Sequence, residues 1–189
     1  MAIAHLALLT SATFPTGQNI WNWFDSYIPR TVTNNVASGT IQVANIEIPG
    51  DSLVKPYRSW ISIQSFRFDL SARSGSNSYS MSLIKPHDRT SPKLFKYCAN
   101  DTQISMAVLE VPHPDRAIPD KDDRDVDTSS AKHKTTYFMR DVRIRNFMSF
   151  GEDTAGTQNT SEEISLTYSG FGVLYDTAND GTVREKYDW

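Results

Sequence analysis

The sequence predicts a mainly β protein, a small barrel or sandwich of two sheets with one short α-helix packed on it. Most of the chain divides into short segments in which apolar and polar residues alternate. Two of these segments change their apolar side part-way along. At 91–99, apolar residues recur with helical spacing after a Ser-Pro pair that is typical of a helix start. Strands that bend, with a helix to cover an open side, are typical of such folds.

The helix is predicted from its two ends and its apolar face. Ser91 is expected to act as N-cap and Pro92 to occupy the first helical position, where proline loses no needed donor. Asn100 is expected to end the helix in a left-handed conformation. An apolar stripe with lysines on the other side predicts that the helix packs on the sheet through Leu94, Phe95 and Cys98.

The strands on either side of the helix show where the sheet should bend. The strand at 60–70 has Ile61 and Ile63 on one side and then Phe66 and Phe68 on the other. Such a change of phase predicts a bulge, or burial of both faces. A similar change at Gly170 predicts a second bulge or sharp bend.

The next strand, which begins near Tyr79, has apolar residues that alternate with serines and should therefore have one wet face. The small polar stretch 71–78 is interpreted as a loop. The end of the sequence, 183–189, is expected to pair back as an edge strand or to dock through Trp189.

Composition excludes several function classes. The formal charge of −3 and the pI near 5.8 supply no basic field for nucleic acid. A single cysteine, Cys98, allows no internal disulfide and is interpreted as a buried residue. The apolar start 1–12 has no Lys or Arg before it, so no signal peptide is expected, and membrane insertion is not expected either.

The sequence contains one candidate metal-binding pattern, and its residues fit such a site only in part. Asp123, Asp125 and Asp127 have the spacing of a calcium loop, but the positions that need Gly and Glu hold Thr128 and Lys134. A solvated loop is the favoured interpretation, with a weak cation site, or a metal-dependent hydrolase built on this loop, as the alternative. The sequence therefore predicts no enzyme and no cofactor.

Five segments resemble the Hcp family, the tube proteins of the bacterial type VI secretion system, and their order along the chain agrees with that of the family. They are SPKLFKYCANDTQI at 91–104, IEIPGDSL at 46–53, SWISIQSFRFDLS at 59–71, TTYFMRDVRIRNFMSFG at 135–151 and TSEEISLTYSGFGVLYD at 160–176. The resemblance covers roughly 41–176. It departs from the family in a shorter arm at Ala72–Asn77 and a longer loop at 112–134.

The resemblance implies a structural role without a cofactor. It implies hexameric rings that stack into a hollow tube, with a contractile sheath, spike proteins and effector cargo as partners. It also implies residence in the bacterial cytoplasm before firing and outside the cell afterwards. Phage tail-tube proteins are an alternative within the same architecture. A carbohydrate-binding β-sandwich is another, because Trp21, Trp23 and Trp189 are candidates for exposed aromatic residues.

Residues 1–40 are predicted to form an N-terminal extension and 41–189 the Hcp-like β-barrel domain. Ile3–Thr10 is interpreted as a strand or a short buried segment, and Thr31–Thr40 as a hinge. The extension is hypothesised to help subunits or rings assemble, so that deletion of 1–30 would leave a folded domain. The candidate inter-subunit contacts are Trp21, Trp23, Phe24, Arg73, Asn77 and Trp189.

Overall fold

The computed structural model confirms a mainly β fold with a short helix. It describes residues 3–9, 48–53, 57, 59–73, 76–113, 133–154, 157–177 and 181–187. The elements are β1 (Ala4–Leu9), β2 (Ile61–Ile63), β3 (Ser65–Arg73), β4 (Ser76–Pro86), α1 (Ser91–Ala99), β5 (Ile104–His113), β6 (His133–Thr154), β7 (Thr157–Tyr168), β8 (Gly170–Thr177) and β9 (Gly181–Tyr187).

The strands form an antiparallel sheet that closes on itself through the chain. The order along the main path is β2-β1-β5-β6-β7-β4-β3, and β8 pairs with β6 and β9. The two ends of the path, β2 and β3, are separated only by Gln64. The path therefore returns to its start, which gives a barrel of two packed layers. We call β2, β1, β5, β8 and β9 with the first half of β6 sheet A, and β3, β4 and β7 with the second half of β6 sheet B.

One long strand, β6, belongs to both sheets, and the chain opposite it passes from one sheet to the other next to the predicted phase change at Gly170. The 22-residue β6 pairs with β5 and β8 in its first half and with β7 in its second half. Its register against β7 shifts between Ile144 and Asn146. The strand opposite is interrupted at Ser169, between β7 and β8. The bend expected near Gly170 is therefore confirmed.

The phase change between Ile63 and Phe66 marks the second connection. β2 pairs with β1 in sheet A, and β3 pairs with β4 in sheet B, with Gln64 between them. The apolar side changes there because the chain passes from one sheet to the other. The loop expected at 71–78 is shorter than predicted, since β3 continues to Arg73 and β4 begins at Ser76. Cross-strand pairing overrides the low strand propensity of the small polar residues.

The core lies between the two sheets. Sheet B contributes the inward side chains of Met81, Leu83, Ile164 and Leu166, all nearly inaccessible to solvent. Sheet A contributes residues of β1, β2, β5 and β6 to the same cluster. The alternating serines of β4 therefore lie on the outside of sheet B, as the sequence predicts.

The predicted N-terminal extension supplies a central strand of sheet A. β1 pairs with β2 on one side and β5 on the other, and all six of its residues are buried. Within the predicted segment Ile3–Thr10, Ala4–Leu9 is thus a strand, and this part of the segment 1–40 belongs to the barrel. The hypothesis that deletion of 1–30 leaves a folded domain is replaced by the expectation that it unfolds the protein. The rest of the extension, from 10 to 40, lies outside the described residues.

Candidate assembly surfaces

Helix α1 packs on the barrel through the buried Leu94 and through two residues at the margins of this contact. Leu94 is 1% exposed and belongs to the core cluster, and Cys98 is half-buried against the same cluster. Phe95 is 59% exposed, and its ring meets that of Phe147 on β6 edge to face, with centroids 5.8 Å apart. Of the three residues predicted to pack the helix, Phe95 thus lies at the surface.

The start of α1 differs from the prediction in the residue that caps it. Thr90 is the N-cap and makes no side-chain capping bond, while Ser91 is the first helical residue. Ser91 is buried, and its Oγ donates to Glu162 Oε2 at 2.8 Å and accepts from Lys85 Nζ at 3.2 Å. Sequence reasoning missed this role because the partners come from two distant strands.

The partners of Ser91 form a buried ionic cluster between sheet B and the helix. Lys85 Nζ lies 2.7 Å from Glu162 Oε2 and 2.9 Å from Asp88 Oδ1. Nδ1 of His87, whose side chain is half exposed, lies 2.7 Å from Glu162 Oε1. Lys85 and Glu162 are fully buried, and they are direct cross-strand partners on β4 and β7. The cluster therefore holds the start of the helix against one cross-strand pair of sheet B, Lys85 and Glu162.

The other end of α1 is held by arginines from β6. Asn100 does not adopt the predicted left-handed conformation (φ −95°); Asp101 does, with φ 47°. Asp101 accepts from Arg143 and Arg145 at 2.9 Å each, through its two carboxylate oxygens. These are exposed ion pairs, so they fix geometry more than they stabilise the fold.

Large apolar side chains are exposed next to this helix and along the β6–β7 hairpin. Met148 and Phe150 are 46% and 38% exposed. Across the outer face of sheet B, Met148 is paired with Glu163, which is paired with the half-buried Ile84. Met148 and Phe150 thus lie on the outer face of sheet B, whereas Phe95 is exposed beside Phe147, which packs against the core from the other face of β6. Ile3 and Leu53 are exposed elsewhere on the chain.

A second buried polar cluster lies on the face of sheet A that points away from the core. The rings of His5 and Tyr57 are stacked with centroids 3.9 Å apart. Burial lowers the pKa of His5 to about 4, and burial together with the Glu110 carboxylate raises the pKa of Tyr57. Glu110 also forms an ion pair with Lys134.

This cluster resembles a nucleophile beside a base, but its geometry favours a structural role. Ser52 Oγ lies 3.5 Å from His5 Nδ1, a long separation for proton transfer, and both residues are at most 5% exposed. A residue pair that solvent does not reach offers no place for a substrate. The described ranges of the chain contain no group of three or more metal-ligating side chains. Among them there is also no helix long and apolar enough to cross a membrane.

The structure describes the surroundings of only two of the predicted inter-subunit residues. Arg73 and Asn77 lie at the tip of the β3–β4 hairpin, where Arg73 pairs with Ser76 and Asn77 with Ala72. The other four, Trp21, Trp23, Phe24 and Trp189, lie outside the described residues, as do Asp123, Asp125 and Asp127 of the acidic run.

The part of the chain that the structure describes is a small, mainly β barrel with one surface helix and exposed apolar side chains. The family described as "Type VI secretion system effector, Hcp" matches residues 39–175, well over half of the sequence. The chain therefore belongs to the Hcp family of the type VI secretion system. The resemblance seen in the sequence is confirmed. No curated protein matches the sequence.

Solved structures agree with this assignment at the level of the fold. A type VI secretion system effector from Yersinia pestis is 20% identical, with a TM-score of 0.59, and the match covers 75% of this chain and 94% of that one. Hcp1 from Salmonella typhimurium is 23% identical, with a TM-score of 0.56 and coverages of 75% and 87%. A mutant Hcp1 from the E. coli EAEC 042 pathovar is 13% identical, with a TM-score of 0.63 over the whole of both chains.

Proposed function

We propose that this chain is the tube subunit of a type VI secretion system. It assembles into hexameric rings that stack into a hollow tube, and effectors are delivered through the tube or with it. A contractile sheath and spike proteins are its partners. The protein resides in the bacterial cytoplasm before firing and outside the cell afterwards. The work is mechanical, and it requires neither a cofactor nor a catalytic site. The observation that carries the proposal is the family match over residues 39–175.

The surface of the barrel supports assembly with copies of itself. Phe95, Met148 and Phe150 are large, apolar and exposed on neighbouring elements, α1 and β6. Large apolar and aromatic side chains are enriched at the centres of interfaces, because their burial contributes most to the free energy of association. When one patch of a subunit binds a different patch of the next subunit, a closed ring forms if the rotation from each subunit to the next adds up to a full turn. We therefore assign the two exposed apolar sites, Phe95 on α1 and Met148 with Phe150 on β6, to the contacts between neighbouring subunits.

The proposal is tested by imaging the purified protein and measuring its molecular mass in solution. Negative-stain microscopy and light scattering are expected to show rings, and stacked rings at high concentration, without any added ligand. Protein that remains monomeric from micromolar to millimolar concentration, with no rings in the images, contradicts the proposal.

A pair of variants locates the contact. Phe95→Asp combined with Met148→Asp is expected to give folded monomers, because both side chains are already solvent-exposed in the subunit. The matched control is Gln64→Asp, which adds a charge at an exposed position between β2 and β3. It should assemble as the wild type does. If the double variant also assembles normally, the subunit contact lies elsewhere on the barrel.

A further inference from the structure

Arg145 is the extra residue of the bulge in β6. In the register of β6 against β7, Ile144 pairs with Leu166. Asn146 pairs with Ser165, the next residue on β7, so Arg145 is passed over in this pairing. A β-bulge bends its strand and redirects a side chain. At this bulge, the redirected side chain is a guanidinium group that reaches the turn after α1.

Two arginines of β6 hold that turn. Arg145 donates to Asp101 Oδ1 at 2.9 Å and to Thr167 Oγ1 on β7 at 3.2 Å. Arg143, which lies before the bulge, donates to the other carboxylate oxygen of Asp101 at 2.9 Å. The backbone of Asp101 is left-handed, with φ 47°, which costs energy in a residue other than glycine and has to be held by surrounding contacts. The bulge therefore supplies one of the two side chains that fix the end of the helix.

A second contact attaches α1 to β6 after the bulge. The ring of Phe95 meets that of Phe147 edge to face, with centroids 5.8 Å apart, and Phe147 also packs against the core cluster. Met148 and Phe150 follow on the same strand with exposed side chains. The helix that carries Phe95 is therefore joined at two places to the strand that carries the other exposed apolar site, through Phe147 and through Arg145.

The way in which α1 is joined to β6 sets the angle between the two exposed apolar sites of the subunit. The rotation from one subunit to the next depends on how these two sites lie relative to each other on a single subunit. A contact between two different surfaces gives a ring if that rotation closes and an open filament if it does not. A helix that could shift at its end would move Phe95 relative to Met148. Subunits would then assemble with more than one rotation.

We propose that Arg145 is a positioning residue for ring closure: through Asp101 it holds α1 against the bulge of β6 and fixes the angle between the two contact sites. This inference rests on the proposed tube function and adds to it a residue that determines whether the ring closes. Arg145 acts through the helix and need not touch the neighbouring subunit. Because the ion pair is exposed, its loss should change the geometry of the subunit more than its stability.

Images of assembled variants test the proposal. Arg145→Leu is expected to give open arcs and rings of several diameters. The matched control is Arg67→Leu, which removes another exposed ion pair, with Asp69 at 3.1 Å on β3, and should keep the single diameter of the wild type. Uniform rings of wild-type diameter from Arg145→Leu would overturn the inference. Loss of cooperative unfolding in this variant would also overturn it, since Arg145 would then be required for the fold itself.

A second variant removes the charge from the other partner. Asp101→Asn leaves β6 unchanged, and asparagine tolerates the left-handed conformation. It should give the same open arcs and mixed diameters as Arg145→Leu. Uniform rings from Asp101→Asn would show that the ion pair does not set the geometry of the ring.

Hydrogen exchange measures the hold on α1 independently of assembly. The amides of Asn100, Asp101 and Thr102 donate to carbonyl groups of the last helical turn. In protein diluted below the concentration at which it assembles, their exchange should be about 2–5-fold faster in Arg145→Leu than in the wild type, and unchanged in Arg67→Leu. Equal exchange in Arg145→Leu and the wild type would overturn the inference and leave the proposed function standing. If the wild type forms no rings, the proposed function fails, and the exchange rates still decide whether Arg145 holds the helix.

Discussion

Lys85 and Glu162 meet inside the protein, with Nζ and Oε2 2.7 Å apart and both side chains fully buried. They come from adjacent strands, β4 and β7, and they also hold Ser91 at the start of the helix. Two charges removed from water are tolerated because they pair with each other, because Lys85 also donates to the Pro86 carbonyl, and because Ser91 donates to Glu162. The pair therefore makes the position of the helix depend on the register of sheet B.

Removal of one partner should destabilise the protein more than removal of both. Lys85→Met leaves the Glu162 carboxylate buried without its main counter-charge, and we expect a loss of about 3–5 kcal/mol in the free energy of unfolding. Adding Glu162→Leu should recover part of that loss. Urea denaturation of the two single variants and the double variant measures the coupling. Strictly additive losses would contradict the pairing described here.

Acid should weaken the fold through His5. Its pKa is lowered from 6.5 to about 4 by burial, so the folded state favours the neutral ring. The unfolded chain binds the proton more readily, and stability should fall as the pH drops from 6.5 towards 4. At pH 5 the loss is about 2 kcal/mol. His5→Phe keeps a ring against Tyr57 without a titrating group and should lack this component of the pH dependence. Parallel stability curves for the two proteins between pH 7 and pH 5 would contradict the prediction.

The same substitution at two neighbouring residues of α1 should cost very different amounts of stability. Leu94→Asp puts a charge into the core beneath the helix and should cost at least several kcal/mol, which approaches the whole stability of a domain. Phe95→Asp changes a side chain that is 59% exposed and should cost about 1 kcal/mol or less. Thermal melting of both variants gives the comparison. A Leu94→Asp protein that melts like the wild type would mean that the helix is not docked through this residue.

The N-terminal strand should be essential for folding. Leu6 is 2% exposed in the middle of β1, so Leu6→Asp is expected to unfold the protein. Ile3, just before the strand, is 47% exposed, and Ile3→Asp is the matched control that should fold normally. Circular dichroism and proteolysis distinguish the two. If Leu6→Asp protein retains a cooperative unfolding transition at the wild-type temperature, β1 is dispensable to the barrel.

Two glycines offer a test of how closely the segment at Gly50 packs on Trp60. A Cβ on Gly50 would overlap the carbonyl group of Trp60, whereas a Cβ on Gly151 meets nothing within 4 Å. Gly50→Ala should therefore cost about 1–3 kcal/mol, since the overlapping atoms belong to the backbone and have to shift. Gly151→Ala should stay within about 1 kcal/mol of the wild type. Equal stability of the two variants in urea would show that the segment at Gly50 can move away from Trp60.

The sequence by itself determined the class of fold, the helix and two of the places where the chain bends from one sheet to the other. These features are written in local patterns: apolar spacing over 91–99, alternation with serines in β4, and the phase change between Ile63 and Phe66. A pattern of this kind reports which side of an element is buried. It does not report the partner that buries it.

The tertiary structure alone decided the partners. Lys85 and Glu162 are 77 residues apart, and only the register of β4 against β7 brings their charges together. In the same way, Ser91 has the sequence signal of an N-cap, but its hydroxyl group is used by that buried pair. β1 belongs to the barrel because it pairs with β2 on one side and β5 on the other. No pattern within residues 4–9 specifies these two partners. Long-range pairing fixes these contacts, since each depends on backbone geometry set far away in the sequence.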